Sequence, residues 1–344
     1  RAIIDAVLAA LAGIDGLREA QPGEFTRRAF ANGRIDLTEA EGLADLLLAE
    51  TQSQRRAALA LAGGSLTREV EHWQRQVLAL GAAVEAALDF ADEDDVAVEL
   101  PPGWHADLAA LEDALSAALA RPAVERLRDG VRVVIAGPPN AGKSTLLNAL
   151  AGREAAITSA IAGTTRDLVE APTAIGGSPF LLIDTAGLRA SGDEVEAIGV
   201  ARAHASIAAA DIILWLGEAD DCPDPARTIM IRSKADLLAD SQASGDGALL
   251  VSPITNAGMD RLVERLTEAA RLLLPGETEV PLNARHRAAL GAARDSLAVA
   301  QHETDIVLVA EALRYARAAL DRVTGRAGVE DMLDSLFGRL CIGK

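Results

Sequence analysis

The segment GPPNAGKST, residues 137–145, limits the possible folds of this chain more than any other stretch of its sequence. It matches the pattern G-x-x-x-x-G-K-[ST], follows the apolar run VRVVIA and precedes the helix-forming run TLLNALAG. Loops of this kind between a strand and a helix bind phosphate, because their backbone amides point inward and the helix N-terminus adds partial positive charge. The segment therefore predicts an α/β domain that binds a phosphorylated ligand.

The side chains of this loop have separate expected roles. Gly142 lets the backbone approach phosphate oxygens, Lys143 is expected to bridge the β- and γ-phosphates, and Ser144 to offer its hydroxyl to Mg²⁺. The formal net charge of −18 argues against broad adhesion to nucleic acid, so contact with RNA would need a local basic patch or a partner protein. It does not conflict with a phosphate site whose positive field is local and made largely of backbone.

Two further segments follow the phosphate loop in the order expected along the chain of a protein that binds a nucleoside triphosphate. Asp184, in LLIDTAG, is expected to hold Mg²⁺ through water, and the amide of Gly187 to sense the γ-phosphate. Thr164 and Thr165 lie between this motif and the phosphate loop, where a threonine could close over the nucleotide and complete the Mg²⁺ shell. Thr165 is the preferred candidate; the alternative for this segment is an ordinary turn.

A third segment, SKAD at residues 233–236, indicates guanine selectivity. It stands where guanine-selective proteins usually have N-K-x-D, with Asp236 accepting the N1 and N2 protons of the base. Ser233 replaces the usual asparagine and cannot make the same two-sided contacts, so we expect lower guanine affinity with the selectivity of Asp236 retained. Ser252, after the strand LLV, stands where a backbone-mediated base contact is expected.

Hydrolysis needs a group that orients water, and the sequence leaves that group open. Leu188 occupies the position where many GTPases have a glutamine, and a leucine cannot align water. Three carboxylates follow, and their spacing does not choose among them: Asp193, Glu194 and Glu196. The positive charge of an arginine finger could come from Arg166 or Arg189, or from a monovalent cation held by Asn140 and backbone carbonyls around residues 159–164.

The chain as a whole reads as helical, then α/β, then helical. We expect an α/β P-loop G domain with a mostly parallel sheet at residues 129–275, inserted between the halves 1–128 and 276–344 of an all-α domain. Thr38 and Glu41 match a helix capping box. The sequence contains no stretch of ~18 uninterrupted apolar residues, so no membrane span is predicted.

Several of these segments together resemble the MnmE (TrmE) family of tRNA-modification GTPases. The resemblance rests on PGEFTRRAFANGRIDLTEAE, AALDF, GPPNAGKSTLLNALAGREAAI, IAGTTRD, LIDTAGLR and the C-terminal CIGK. It implies an N-terminal folate-binding domain, of which residues 1–35 or so would be a remnant, followed by a split helical domain and an inserted G domain. It also implies a homodimer whose G domains meet across GTP or GDP, with K⁺ acting as the finger.

The resemblance assigns roles to single residues as well. Glu196 would orient water, Lys143 would act on the phosphates, and Cys341 would matter for tRNA modification, although a small apolar plug is the alternative for this cysteine. The implied ligands are Ser144 and Thr165 for Mg²⁺; Asn140, Ser159, Ile161 and Thr164 for K⁺; and Arg34 and Lys344 for folate. The residues expected around the nucleotide are Asn140, Ala141, Gly142, Lys143, Ser144, Thr145, Ser159, Ala160, Ile161, Ala162, Gly163, Thr164, Thr165, Asp184, Thr185, Ala186, Gly187, Ser233, Lys234, Asp236 and Ser252.

The implied reaction is addition of a (carboxymethyl)aminomethyl group at C5 of the wobble uridine, U34, of tRNA. The implied partner is the FAD protein MnmG (GidA), in a heterotetramer or larger complex, and the carbon donor is 5,10-methylene- or 5-formyl-tetrahydrofolate. Two cysteines, Cys222 and Cys341, suggest no disulfide framework and fit a cytoplasmic location. The main alternative is a ribosome-assembly or RNA-binding switch GTPase of the Era/Der type, and a third is a helical scaffold that keeps nucleotide for stability.

Overall fold

The computed structural model describes residues 2–91, 100–122, 124–153, 170–185, 203–237, 247–276 and 279–326. The chain divides into two compact units, which are treated separately below. The first comprises residues 1–48, 58–120 and 285–344, and the second comprises residues 49–57 and 121–284. None of the described helices combines the length and the apolar character needed to cross a membrane.

The described elements of the first unit are helices. They are α1 (Ala2–Ala12), α2 (Glu24–Ala31), α3 (Leu37–Leu48), α5 (Ser65–Ala91), α6 (Trp104–Leu119), α10 (Ala284–His302) and α11 (Ile306–Thr324), and α4 (Gln52–Ala62) is divided between the two units. The longest, α5, buries Leu66, Val70, Trp73, Val77, Leu80 and Val84. Steps of three and four residues keep these side chains on one face of a helix, which is why this sequence packs as a long amphipathic helix.

Helix α3 begins differently from the sequence prediction. The capping box is formed by Asp36 and Glu39: the amide of Glu39 donates to Asp36 Oδ1, and the amide of Asp36 donates to Glu39 Oε2, both at 2.8 Å. The predicted box of Thr38 and Glu41 is therefore wrong, because Asp36 caps the helix two residues earlier. A second box that the sequence also contains, Thr51 with Gln54, begins α4.

Glu41 instead contacts two basic side chains of α10, Arg285 and His286. Its carboxylate accepts from Arg285 and lies 2.8 Å from Nε2 of His286, which is fully buried. Burial alone would raise the pKa of Glu41, but the hydrogen bonds from His286 and Arg285 outweigh it and lower that pKa to about 2. Burial lowers the pKa of His286, although the neighbouring carboxylate of Glu41 opposes this effect.

The second unit is an α/β structure. Its strands are β1 (Val131–Ala136), β2 (Glu170–Ile175), β3 (Ser178–Asp184), β4 (Ile212–Trp215), β5 (Thr228–Arg232) and β6 (Leu249–Leu250), and its helices include α7 (Glu125–Asp129), α8 (Lys143–Arg153) and α9 (Met259–Leu273). The strand order is β2-β3-β1-β4-β5-β6, and every pairing is parallel except the antiparallel pairing of β2 with β3. The prediction of a mostly parallel sheet is confirmed.

Strand β1 lies in the middle of this sheet and is buried on both faces. Val131, Val133 and Ile135 belong to one apolar cluster, whereas Val134 and Ala136 belong to another. Successive side chains of a strand point to opposite faces, so this alternation means that both faces are covered, as in helix-covered parallel sheets. The phosphate loop therefore starts from the centre of the sheet, at the carboxyl end of a fixed strand.

Candidate nucleotide site

The phosphate loop connects β1 to α8 through backbone conformations that favour glycine. Gly137 and Gly142 have φ angles of 145° and 94°, and Asn140 has a φ of 60°. The ammonium of Lys143 is buried and donates to the carbonyls of Gly137 at 3.0 Å and Pro138 at 2.7 Å. The lysine thus closes the loop on itself with its charge held inside the curve of the backbone, where a phosphate group would meet it.

Two groups expected near Mg²⁺ touch one another at the start of α8. The hydroxyl of Ser144 donates to Asp184 Oδ2 at 2.5 Å, and Asp184 is buried at the end of β3. The parallel pairing of β1 with β3 brings them together, since it aligns Ile135 with Asp184. Next to it, the hydroxyl of Thr185 donates to the carbonyl of Ile135 at 2.9 Å and anchors the end of β3 to β1. A hydroxyl and a carboxylate are hard oxygen ligands, so this pair suits Mg²⁺.

The SKAD segment contacts the phosphate loop directly. Ser233 donates from its hydroxyl to the carbonyl of Ala141 at 2.5 Å, and the ammonium of Lys234 donates to the carbonyl of Asn140 at 3.1 Å. Lys234 itself has a φ of 60°. The sequence predicts that both the SKAD segment and residues 140–141 lie near a nucleotide. It does not predict these two bonds, which connect the SKAD segment to the phosphate loop. Their only sequence signal is the shared position of both segments at carboxyl ends of strands.

Asp236 is held in place by a buried serine. The hydroxyl of Ser252, whose side chain is fully buried, donates to Asp236 Oδ1 at 2.5 Å and accepts from the amide of Thr255 at 3.3 Å. The amide of Ser252 donates to the carbonyl of Ala257 at 2.8 Å, which fixes the turn after β6. Asp236 is exposed, so a base could approach it from solvent. Ser252 therefore orients Asp236. The sequence did not predict the hydrogen bond between these two side chains.

The structure brings together the described members of the predicted set that lie in the second unit. They are Asn140, Ala141, Gly142, Lys143, Ser144, Thr145, Asp184, Thr185, Ser233, Lys234, Asp236 and Ser252. Arg34 belongs to the first unit, where it is exposed in the turn between α2 and α3. The following predicted residues lie outside the described residues: Ser159, Ala160, Ile161, Ala162, Gly163, Thr164, Thr165, Ala186, Gly187, Glu196, Cys341 and Lys344.

A cavity of about 670 Å³ adjoins the phosphate loop at the carboxyl ends of β4 and β5. Gly137, Pro138, Ala141, Ser233 and Lys234 line it, whereas Lys143 and Asp236 are not part of its wall. The groups suited to phosphate and guanine therefore define the candidate site better than this cavity does, and the cavity is its neighbour rather than its centre.

Comparison with known proteins relates the chain to one family over nearly its whole length. The family described as the MnmE helical domain matches residues 37–341. A protein named tRNA modification GTPase MnmE from Rhizorhabdus wittichii is 62% identical over 345 residues, covering 100% of this chain and 77% of the relative. Proteins of the same name from Erythrobacter litoralis and Sphingopyxis alaskensis are 56% and 55% identical, and the chain spans 80% and 84% of them.

Among solved structures, the G domain of the FeoB iron transporter of T. maritima has 23% identity and a TM-score of 0.27. The match covers 41% of this chain and 98% of the FeoB domain. A likeness at this level adds nothing to the sheet order and motif geometry seen directly.

Proposed function

Because this chain belongs to the MnmE family of tRNA-modification GTPases, we propose that it hydrolyses GTP as part of C5 modification of the wobble uridine of tRNA. In this proposal, hydrolysis is stimulated by K⁺, is coupled to dimerisation of the G domains, and proceeds in complex with the FAD protein MnmG. The observation that supports the GTP-binding part of this proposal is the pair of bonds from Ser233 and Lys234 to the phosphate loop, since they join a guanine-type segment to a phosphate-type segment.

The phosphate half of the proposal rests on Lys143 and the pair of Ser144 with Asp184. Lys143 holds its charge on two loop carbonyls, and bound phosphate oxygens would become its additional partners. Ser144 and Asp184 would hold Mg²⁺, which when bound neutralises charge on the β- and γ-phosphates. These residues bind and orient the nucleotide, and Glu196, proposed from the family resemblance, would orient the attacking water.

The base half rests on Asp236. Guanine presents an N1 proton and an N2 amine on one edge, and a carboxylate can accept from both, whereas adenine lacks that pattern. The bond from Ser252 fixes Asp236 before the base arrives, so less rotamer freedom is lost on binding. Selectivity for GTP over ATP follows from this geometry.

Of the residues proposed to bind K⁺, Asn140 is the one that lies within the described part of the chain. Its backbone carbonyl is engaged by Lys234, and among the described residues its exposed side-chain amide makes no hydrogen bond. An amide oxygen there is accessible to a cation, and K⁺ would supply the positive charge that an arginine finger otherwise gives. Ser159, Ile161 and Thr164 as further K⁺ ligands, Thr165 for Mg²⁺, Cys341, and Arg34 with Lys344 for folate complete the proposal by resemblance.

The test is GTP turnover in KCl and in NaCl at matched ionic strength, over a range of protein concentrations. We expect turnover per molecule to rise with protein concentration in KCl and to stay low in NaCl. Asn140→Ala should remove most of the difference between the salts, whereas Asn148→Ala, an exposed asparagine on α8, should keep it. Equal turnover in both salts at all concentrations would refute the K⁺ and dimer parts of the proposal.

The tRNA part needs its own measurement. Purified chain, extended by the segment that its longer relatives carry, is combined with MnmG, GTP, a methylene-folate and unmodified tRNA, and the nucleosides are analysed by mass spectrometry. We expect a modified wobble uridine only when all components are present. Absence of the modified nucleoside despite active GTP hydrolysis would contradict this part alone.

A further inference from the structure

A cleft in the helical unit lies between α5 and α11 and has a volume of about 340 Å³. Both helices belong to the first unit. The lining residues are Glu71, Gln74, Arg75, Leu78, Arg317, Asp321 and Arg326. Positions 71, 74, 75 and 78 share one face of α5, as 317 and 321 do on α11, so the cleft is built by two helices of regular geometry.

The carboxylates of this cleft are already engaged. Glu71 pairs with Arg326 at 2.6 Å, and Asp321 accepts from the amide of Gln74 at 2.8 Å. Arg326 also approaches Gln74 Oε1 at 3.4 Å, so these four side chains form one connected row along the cleft. The row carries two carboxylates and one guanidinium, and the other two arginines of the lining, which lie outside the row, give the cleft a net charge of +1.

Arg75 and Arg317 make no hydrogen bond or ion pair with any residue in the described ranges, and both are exposed. They approach the same cleft from different helices. In a chain with a net charge of −18, two guanidinium groups without a carboxylate partner on one concave surface form a local positive site. The partly exposed Leu78 gives the same surface an apolar contact.

We propose that this cleft binds the phosphodiester backbone of RNA, with Arg75 and Arg317 each contacting a phosphate. The identification of that RNA as tRNA rests on the proposed function. Planar guanidinium groups match the oxygen geometry of phosphate and donate two parallel hydrogen bonds, which is why arginine is common at such sites. The net charge of −18 disfavours broad adhesion of RNA, so a local cluster of arginines is needed for contact.

The experiment is binding of a fluorescein-labelled, unmodified tRNA transcript to the chain, followed by fluorescence anisotropy from low to high KCl. The test variant is the double substitution R75Q/R317Q. The control is R294Q/R314Q, which removes the same charge from exposed arginines that pair with neighbouring carboxylates, Arg294 with Asp295 and Arg314 with Glu311.

We expect Kd for tRNA to rise roughly tenfold in R75Q/R317Q, and the slope of log K against log salt to fall by roughly 1.5, as for two lost phosphate contacts. The control should change Kd less than about twofold, since its arginines are already neutralised. R75K/R317K should bind with intermediate affinity, because lysine keeps the charge but not the forked geometry. Thermal unfolding curves establish that each variant is folded.

Three outcomes overturn the inference, and they are distinguishable. Equal weakening in the test and control variants would mean that only total charge matters, and unchanged binding in the test variant would place RNA elsewhere; both leave the proposed function intact. Failure of the wild-type chain to bind tRNA at any salt concentration would remove the proposed tRNA partner together with this site.

Discussion

The buried hydroxyl of Ser252 offers the sharpest test of how this site recognises its base. The substitution Ser252→Ala removes the bond to Asp236 without adding volume to a fully buried position. It also removes the acceptor of the Thr255 amide, but that bond is long at 3.3 Å. The perturbation therefore acts mainly on the orientation of one carboxylate.

The expected magnitude follows from the geometry of this bond. A hydrogen bond to a charged acceptor contributes about 1.5–3 kcal/mol. Asp236 is exposed, so water replaces part of the lost interaction and the lower end of the range applies. Since 1.4 kcal/mol corresponds to a factor of ten, we expect GDP affinity to fall about tenfold in Ser252→Ala.

The assay compares GDP with inosine diphosphate, which lacks the N2 amine. If Asp236 accepts from both guanine protons, a misoriented carboxylate loses more with GDP than with the inosine nucleotide, so the preference for GDP should shrink. Titrations with fluorescent analogues of both nucleotides measure this ratio. Ser296→Ala is the matched control, because Ser296 makes a comparable bond to a backbone carbonyl on α10, in the other unit.

Refutation would take one of two forms. GDP affinity within about twofold of wild type would mean that Ser252 does not orient Asp236 for binding. A tenfold loss that is equal for both nucleotides would mean that Ser252 supports the turn rather than base recognition.

Three further predictions concern other residues. Ser233→Ala should weaken GDP binding about fivefold by removing the bond to Ala141, and Ser233→Asn should bind at least as tightly as wild type; equal affinity in the alanine variant would contradict this. Wild type should be more stable than Glu41→Gln above pH 4.5, and this difference in the free energy of unfolding should shrink by about 3 kcal/mol as the pH falls toward 2. The reason is that the pKa of Glu41 is about 2 in the folded state and near 4.5 in the unfolded state; a difference that stays constant with pH in urea titrations would refute this. Gly42→Ala should cost about 3 kcal/mol in the same titrations, because its Cβ would lie 2.3 Å from the amide nitrogen of Ala62, whereas Gly291→Ala, with open space around it, should not destabilise.

The elements that the sequence predicted well are those with strong local signals. The run VRVVIA followed by a glycine-rich loop predicts β1 and the start of α8. Apolar residues three and four apart predict helices on both sides of the α/β domain, where α5, α10 and α11 lie. Periodicity and turn chemistry are local properties, so they can be read without knowing the rest of the fold.

The sequence did not predict features in which two residues compete for one role, or in which residues far apart along the chain make contact. Asp36 and Thr38 both suit a cap, and only the structure shows that Asp36 takes the role. Strand β2 was not foreseen, because EAPTAI contains a proline that argues against a strand unless the strand lies at an edge. The bond from Ser233 to Ala141 joins residues 92 positions apart, so it follows from the strand order and has no local signal.

The two end strands of the described sheet also restrict how copies of this unit could associate. Pro172 lies within β2 and has no amide proton, and β6 comprises only Leu249 and Leu250. A neighbouring chain that tried to add a strand at either margin would find an interrupted row of donors or almost no row at all. Association of copies through strand addition at these two edges is therefore disfavoured.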